Sequence, residues 1–176
     1  MELQEILNLV LLGKGWYQSL SEKTKIAVAA DHAGFSLKEK VREYLLRKGY
    51  EVEDLGPQST DRVDYPDFAE KVAARVAKHE APFGILVCGT GLGMAITANK
   101  VPGIRATPCN DTISARMARA HNDANILTLG GRLTDEATAQ KILDTWFSTP
   151  FEGGRHQERL DKIDAVDQRY HAEKAK

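Results

Sequence analysis

At 176 residues the chain has the length of one domain with a sizeable core, and 42% hydrophobic with 28% charged residues is a globular composition. A net charge of −1 excludes a generally nucleic-acid-binding surface and leaves room only for a local basic cluster. Two cysteines are too few for a disulfide scaffold, no apolar run approaches the ~20 residues of a membrane span, and Glu2 and Glu5 stand where a signal peptide carries positive charge, so a soluble chain in a reducing cytoplasm is expected.

In chain order, Met1–Thr24 reads as an extension: Leu3, Ile6, Leu7 and Val10 share one helical face, with Trp16 and Tyr17 beyond a Gly-Lys-Gly break. Such a helix packs on the domain or a subunit neighbour, or serves a partner or targeting role. Ser19–Lys25 is a polar linker. Lys25–Ala30 is a first strand ending in Asp31-His32-Ala33-Gly34. Ser36 is a candidate cap for the next helix, with Glu39 at the capping-box offset and Leu37, Val41, Tyr44 and Leu45 as its buried stripe. Gly49 ends it, and Tyr50–Leu55 is a second strand. A polar loop leads to Tyr65-Pro66-Asp67 and a helix marked by Phe68, Val72 and Val76.

Phe83–Val87 is a third strand, followed by Cys88-Gly89-Thr90-Gly91-Leu92-Gly93 and an Ala-rich helical segment that Pro102-Gly103 breaks. Ile104–Thr107 is a fourth strand, Asp111–Arg119 a helix capped by Asp111, and Ile126–Leu129 a fifth strand stopped by Gly130-Gly131-Arg132. Thr134–Phe147 is helical with Thr134 as a candidate cap, and a charged helix starts at Arg155. Strands alternating with helices at this spacing predict an α/β fold, a three-layer Rossmann-like sandwich with a five-stranded parallel sheet flanked by helices. The domain spans 25–169, with 170–176 as a tail.

In a parallel sheet all strand carboxyl ends share one edge, which collects Asp31-His32, the Cys88 turn and Gly130-Gly131-Arg132. The glycines read G-x-G-x-G after the third strand, not the G-x-G-x-x-G that follows the first strand of dinucleotide binders, so a nicotinamide cofactor is disfavoured. They make either a tight corner or a row of N–H donors toward an anion. Cys88 is either a small buried hydrophobe or, beside a helix N-terminus, an activated thiol. Cys109, with no glycine turn beside it, reads as structural. Arg155 and Arg159, at i and i+4, form either a solvated face relieved by Glu158 or a seat for a phosphate dianion, with His156 as a neighbour.

His121 poses a geometric problem. The helix starting at Asp111 runs from the carboxyl edge back to the opposite one, so His121 lies a strand length, roughly 17 Å, from its own Cys88. It is a structural helix-end residue, which the sequence alone favours, or it serves a neighbouring subunit's site. Asp31 and Tyr65 are accounted for individually by capping, turn or surface roles. No His/Cys/Asp/Glu group has a metal-ligand spacing, and no Ser-His-Asp arrangement is legible.

Taken together these residues resemble type B ribose-5-phosphate isomerases, in the wider family that includes galactose-6-phosphate isomerase subunits. The matching segments are Asp31-His32-Ala33-Gly34, Asp64-Tyr65-Pro66, Cys88 to Gly93, Ala98-Asn99-Lys100, Gly103-Ile104-Arg105-Ala106, His121-Asn122-Asp123-Ala124-Asn125 and Glu152 to Arg159. The likeness runs from about Lys25 to Arg169, and Met1–Thr24 falls outside the usual compact family length. The resemblance implies reversible aldose–ketose isomerisation of ribose 5-phosphate and ribulose 5-phosphate, without metal or other cofactor. It implies Cys88 as the base between C2 and C1, Thr90 shifting the proton between O1 and O2, the N–H groups of Gly89, Gly91 and Gly93 holding the enediolate, and His121 opening the sugar ring. Asp31, Tyr65 and Asn122 would position the substrate, and His32, Arg132, Arg155 and Arg159 would bind its phosphate. Active sites shared between subunits of a homodimer, or of a dimer of dimers, are implied as well. Some relatives carry a glutamate in place of the cysteine; here Cys88 is present and Ala95 offers no carboxylate. Isomerisation of a six-carbon sugar phosphate (allose or galactose 6-phosphate) and non-catalytic phosphosugar binding are the alternatives.

Overall fold

The computed structural model describes residues 24–174, with side chains as far as Tyr170. Strands and helices alternate along them: β1 (Lys25–Ala30), α1 (Phe35–Arg47), β2 (Glu51–Asp54), α2 (Tyr65–Ala77), β3 (Phe83–Cys88), α3 (Leu92–Ala98), β4 (Ala106–Pro108), α4 (Thr112–Asn122), β5 (Ile126–Gly130), α5 (Glu136–Ser148) and α6 (Arg155–Lys174). All pairings are parallel, in the order β2-β1-β3-β5-β4. The expected α/β sandwich is therefore present. The helix expected in Met1–Thr24 lies outside the described residues except for Thr24, whose carbonyl accepts from Glu51 N–H at 3.1 Å.

The period of two along each strand sorts the core into two layers. Ile26, Val28, Ile85, Val87, Leu127 and Leu129 pack with Leu37, Val41 and Leu45 of α1, Ala115 of α4, and Ile142, Leu143 and Trp146 of α5. On the other face Ala27, Ala29, Leu86, Cys88 and Ile126 meet Ala69, Val72 and Ala73 of α2 and Met94 and Ala98 of α3. That second face is built from small residues, so α2 comes close. A methyl at Gly84 would stand 2.5 Å from the Val72 side chain.

Several local expectations shift, each for a visible reason. Ser36 does not cap α1: the N-cap is Gly34, and the Asp31 carboxylate accepts the Gly34 N–H at 2.8 Å. Thr134 does not cap α5 either. Asp135 does, accepting from Thr138 N–H at 2.8 Å, while Thr134 is buried. Asp111 caps α4 as expected, in a reciprocal pair with Ser114. Helix α4 runs past Arg119 to Asn122 and ends on Asp123 in the left-handed region, φ 40°, so His121 sits in its last turn. Strand β4 starts two residues later than expected because Arg105 N–H donates to the Asn125 side chain at 2.8 Å.

Lys38 is the one fully buried cation among the described residues. Its Nζ donates to the Asp54 carboxylate at 2.7 and 3.0 Å and to the Pro57 carbonyl at 2.9 Å, and lies 2.8 Å from Glu39 Oε1. One side chain thus ties α1 to the end of β2 and to the loop that leads toward Tyr65. Lys38→Ala leaves a carboxylate and a carbonyl without their donor in a dry site. The expected loss is about 3–5 kcal/mol of unfolding free energy in urea. A loss under about 1 kcal/mol would show that the pair behaves like a surface ion pair.

Candidate active site

In the order β2-β1-β3-β5-β4 the chain leaves β1 first to one side and then to the other, so the crevice where ligands bind in such sheets opens between the carboxyl ends of β1 and β3. The turn after β1 is laid directly on the end of β3. Asp31 N–H donates to the Val87 carbonyl at 3.0 Å, and a side chain at Gly34 would overlap that same carbonyl. The turn after β5 closes the other flank: Gly131 N–H donates to Cys88 O at 2.7 Å and Arg132 N–H to Gly89 O at 3.1 Å.

Cys88, 5% exposed, ends β3 in the middle of this arrangement. Its Sγ accepts the Gly91 N–H at 3.1 Å. Gly91 has φ +80°, a conformation that side chains disfavour, and its carbonyl is held by the buried Thr128 hydroxyl at 2.9 Å. The loop is therefore fixed from below by β5. Helix α3 has only seven residues, so the donor that faces the sulfur is the local N–H of its N-cap, Gly91, rather than a long macrodipole. Thr90 is exposed at the loop's crest, where Leu92 N–H lies 3.4 Å from its Oγ1. The Tyr65 ring covers Gly93, where a Cβ would stand 2.7 Å from it, and the Arg132 guanidinium lies over Gly89 at 3.5 Å from such a Cβ. His32 Nδ1 is 3.1 Å from the Val63 carbonyl, which anchors its ring at the same edge. Asp31, His32, Tyr65, Cys88, Gly89, Thr90, Gly91, Gly93 and Arg132 are thus brought together.

His121, Asn122, Arg155 and Arg159 are not part of that cluster. In the β3–β5 register Gly84 pairs with Ile126 and Cys88 with Gly130. His121 precedes Ile126, so it belongs to the amino edge, at least the ~13 Å of four strand residues away from the sulfur. The first turn of α6 joins it there: Glu152 N–H donates to Ala120 O at 2.9 Å, and the His121 and His156 rings stack at 4.2 Å. Arg155 and Arg159 are exposed, and no carboxylate among the described residues stands within 4.0 Å of either, so Glu158 does not relieve Arg155. Two guanidiniums there are open to an external anion.

Two features escaped the sequence reading. His156, taken as a neighbour, is 4% exposed, and burial holds its imidazole below the usual histidine range, with help from His121 and both arginines. His121, Glu152 and His156 also gather their nitrogen and carboxylate atoms within 4.8 Å of one another. That is not a preformed metal centre: the imidazole planes lie 7° from parallel and stacked, so no point lies in both ring planes. The Glu152-x-x-x-His156 spacing was the available signal. A cavity of about 290 Å³ lies elsewhere, lined by Tyr44, Lys48, Tyr50, Asp144 and Phe147; Asp144 is already engaged by Tyr44 at 2.6 Å and Lys48 at 2.9 Å.

The pattern of the family described as Ribose/Galactose Isomerase matches residues 26–163. The chain belongs to the ribose/galactose isomerase family. It is 47% identical to the ribose-5-phosphate isomerase B of Escherichia coli K12 over 145 residues, 82% of this chain and 97% of that protein. Among solved structures it is similar to ribose-5-phosphate isomerase B of Clostridium thermocellum, with TM-score 0.82 and 49% identity over 83% of this chain and 99% of that one. It is also similar to the Mycoplasma genitalium ribose-5-phosphate isomerase B with bound ribulose 5-phosphate, with TM-score 0.79 and 42% identity over 82% and 96%.

Both cysteines of this family member are free thiols, and they stand in different surroundings. Burial pushes the Cys109 thiol up to about 12, with Asp111 adding to it and Ser114 opposing. At pH 8 about one Cys109 in ten thousand is a thiolate. Iodoacetamide followed by peptide mass spectrometry is expected to label Cys88 in the native protein and Cys109 only after unfolding. Equal native labelling of both would contradict this ordering.

Proposed function

We propose that this protein interconverts ribose 5-phosphate and ribulose 5-phosphate at sites shared between two copies of the chain. The observation that carries this is a buried sulfur set in a loop of N–H donors at one edge, with the histidine and arginines that would complete the site at the other. A C–H beside a carbonyl becomes acidic when its developing oxyanion meets preorganised donors, and the Gly89, Gly91 and Gly93 backbone offers that surface. Cys88 takes the proton from C2 of the open-chain aldose, and the electron pair moves into a C1=C2 enediolate. The same proton returns to C1, while Thr90 passes the O2 proton to O1, so the step balances without a cofactor.

Asp31 and Tyr65 of one chain, with Asn122 of the other, orient the sugar. His32 and Arg132 from one chain, with Arg155 and Arg159 from the other, hold the phosphate, and fixing the phosphate fixes the reacting carbons. His121 of the second copy opens the ring. The exposed apolar side chains Leu92, Ile96, Ile113 and Leu133 stand on the segments that leave the carboxyl edge and suit burial against that copy. No helix among the described residues is long and apolar enough to cross a membrane, and two free thiols fit a reducing cytoplasm.

Cys88→Ala is expected to abolish ribose 5-phosphate isomerisation with an unchanged melting temperature; undiminished turnover would remove the thiol from the mechanism. Mixing Cys88→Ala with His121→Ala chains is expected to restore about a quarter of wild-type activity, because half the dimers become mixed and each then has one intact site. No recovery from mixed dimers shown to form by mass spectrometry would argue for sites within one chain. A kcat/KM comparison is expected to favour ribose 5-phosphate over allose and galactose 6-phosphates; a hexose preference would replace the substrate.

A further inference from the structure

Helix α6 is a charged, outward helix that, among its described side chains, buries only His156 and Leu160. Leu160 is an ordinary anchor, but an imidazole with no apolar advantage is an unusual choice for the other. Its ring lies face to face with His121, centroids 4.2 Å apart and planes 7° from parallel. One carboxylate stands near both rings, beyond hydrogen-bond distance: Glu152 Oε2 is 3.8 Å from His121 Nε2 and 3.7 Å from His156 Nε2. The Arg155 Nε–H reaches His156 Nε2 at 3.5 Å, which gives that nitrogen the acceptor role of a neutral ring. Burial, His121, Arg155 and Arg159 all disfavour charge on His156, and Glu152 alone opposes them. His156 is therefore the fixed, neutral member of the pair. His121, about one-third exposed, is the member that can meet a substrate.

We propose that His156 is a positioning residue for ring opening: the stacked imidazole sets the plane of His121. This rests on the reading that His121 opens the sugar ring in the partner's site. Opening the furanose moves one proton from O1 to the ring oxygen O4, as the C1–O4 bond breaks and its electron pair stays on O4. An imidazole that takes the first proton and delivers it to O4 ends the step unchanged, but it must reach both oxygens from one orientation. A ring free to rotate at the end of a helix loses that alignment. The stack removes the rotation without touching substrate.

The two substrates separate this role from a general structural one. Ribose 5-phosphate is mostly a closed ring, whereas ribulose 5-phosphate, with its 5-hydroxyl phosphorylated, cannot close one. In His156→Ala the rate from ribose 5-phosphate is expected to fall on the order of 100-fold and to stop rising with enzyme concentration, as uncatalysed ring opening becomes limiting. The rate from ribulose 5-phosphate stays proportional to enzyme. Because His156 is buried, His156→Phe, which keeps a stacking ring without the nitrogens, is measured beside it and is expected to recover most of the ring-form activity. Rates from both sugars that fall equally and stay proportional to enzyme in His156→Ala would overturn the proposal, as would an equal ring-form loss in the Phe variant. His121→Ala separates the levels. If it shows the ring-form deficit and His156→Ala does not, the positioning role fails alone; if His121→Ala lacks the deficit, the ring-opening reading fails and takes this proposal with it.

Discussion

The place of the Cys88 sulfur is set by backbone packed directly on backbone. At the end of β3 the turn from β1 rests on Val87, and the turn from β5 donates to Cys88 O at 2.7 Å. The turns also touch each other, since a methyl at Gly131 would stand 2.8 Å from Ala33 O. At these contacts there is no side chain to rotate and little slack to take up. Three loops that are remote in sequence therefore behave as one rigid unit, the condition under which N–H donors stabilise charge without reorganising. The two glycines at positions 34 and 131 are part of the site even though they have nothing to offer chemically.

On the proposed reading, the same sheet that builds this unit keeps the site from being completed within one chain. Parallel strands put every βα turn on one edge and every αβ turn on the other. His121 and the first turn of α6 belong to αβ-type positions, so strand length separates them from the sulfur. The separation cannot be closed by side-chain reach: an arginine spans about half of the ~13 Å between the edges. A second copy, with its amino-edge cluster presented to this carboxyl edge, is the economical way to join the halves. Two like guanidiniums left open at Arg155 and Arg159, and apolar side chains left open at Leu92 and Ile96, are then the two sides of one requirement.

The fold was legible because its signals were local and periodic. Alternating strand and helix lengths, Gly49 after α1, and Asp111 before α4 each have a short-range cause, and each held. The carboxyl-edge cluster was legible for a related reason: a parallel sheet turns sequence order into spatial grouping without any need for side-chain detail. What failed was competition between equally plausible neighbours. Ser36 lost to Gly34 because the Asp31 carboxylate, fixed by β1, already served the turn, and Thr134 lost to Asp135 by one residue. The His121–Glu152–His156 cluster was illegible because it depends on how α6 docks on the end of α4, a long-range contact that no periodicity encodes.

Cys88 and Cys109 show why residue type alone could not assign the proposed base. Cys88 ends β3 and Cys109 follows β4, both are buried, and both read as small hydrophobes. At Cys109 burial penalises the anion, the thiol donates to the Thr107 carbonyl at 3.8 Å, and the Asp111 carboxylate adds repulsion, with Ser114 opposing. The carbonyl and the carboxylate both present negative charge to a sulfur that would itself be negative. At Cys88 the nearest polar group is the Gly91 N–H at 3.1 Å, positive end first, in a loop held open by a glycine at φ +80°. The two thiols are chemically the same group in dipoles of opposite sign. On the proposed mechanism, the base is therefore selected by the conformation of the turn, and the turn by the glycine that permits it.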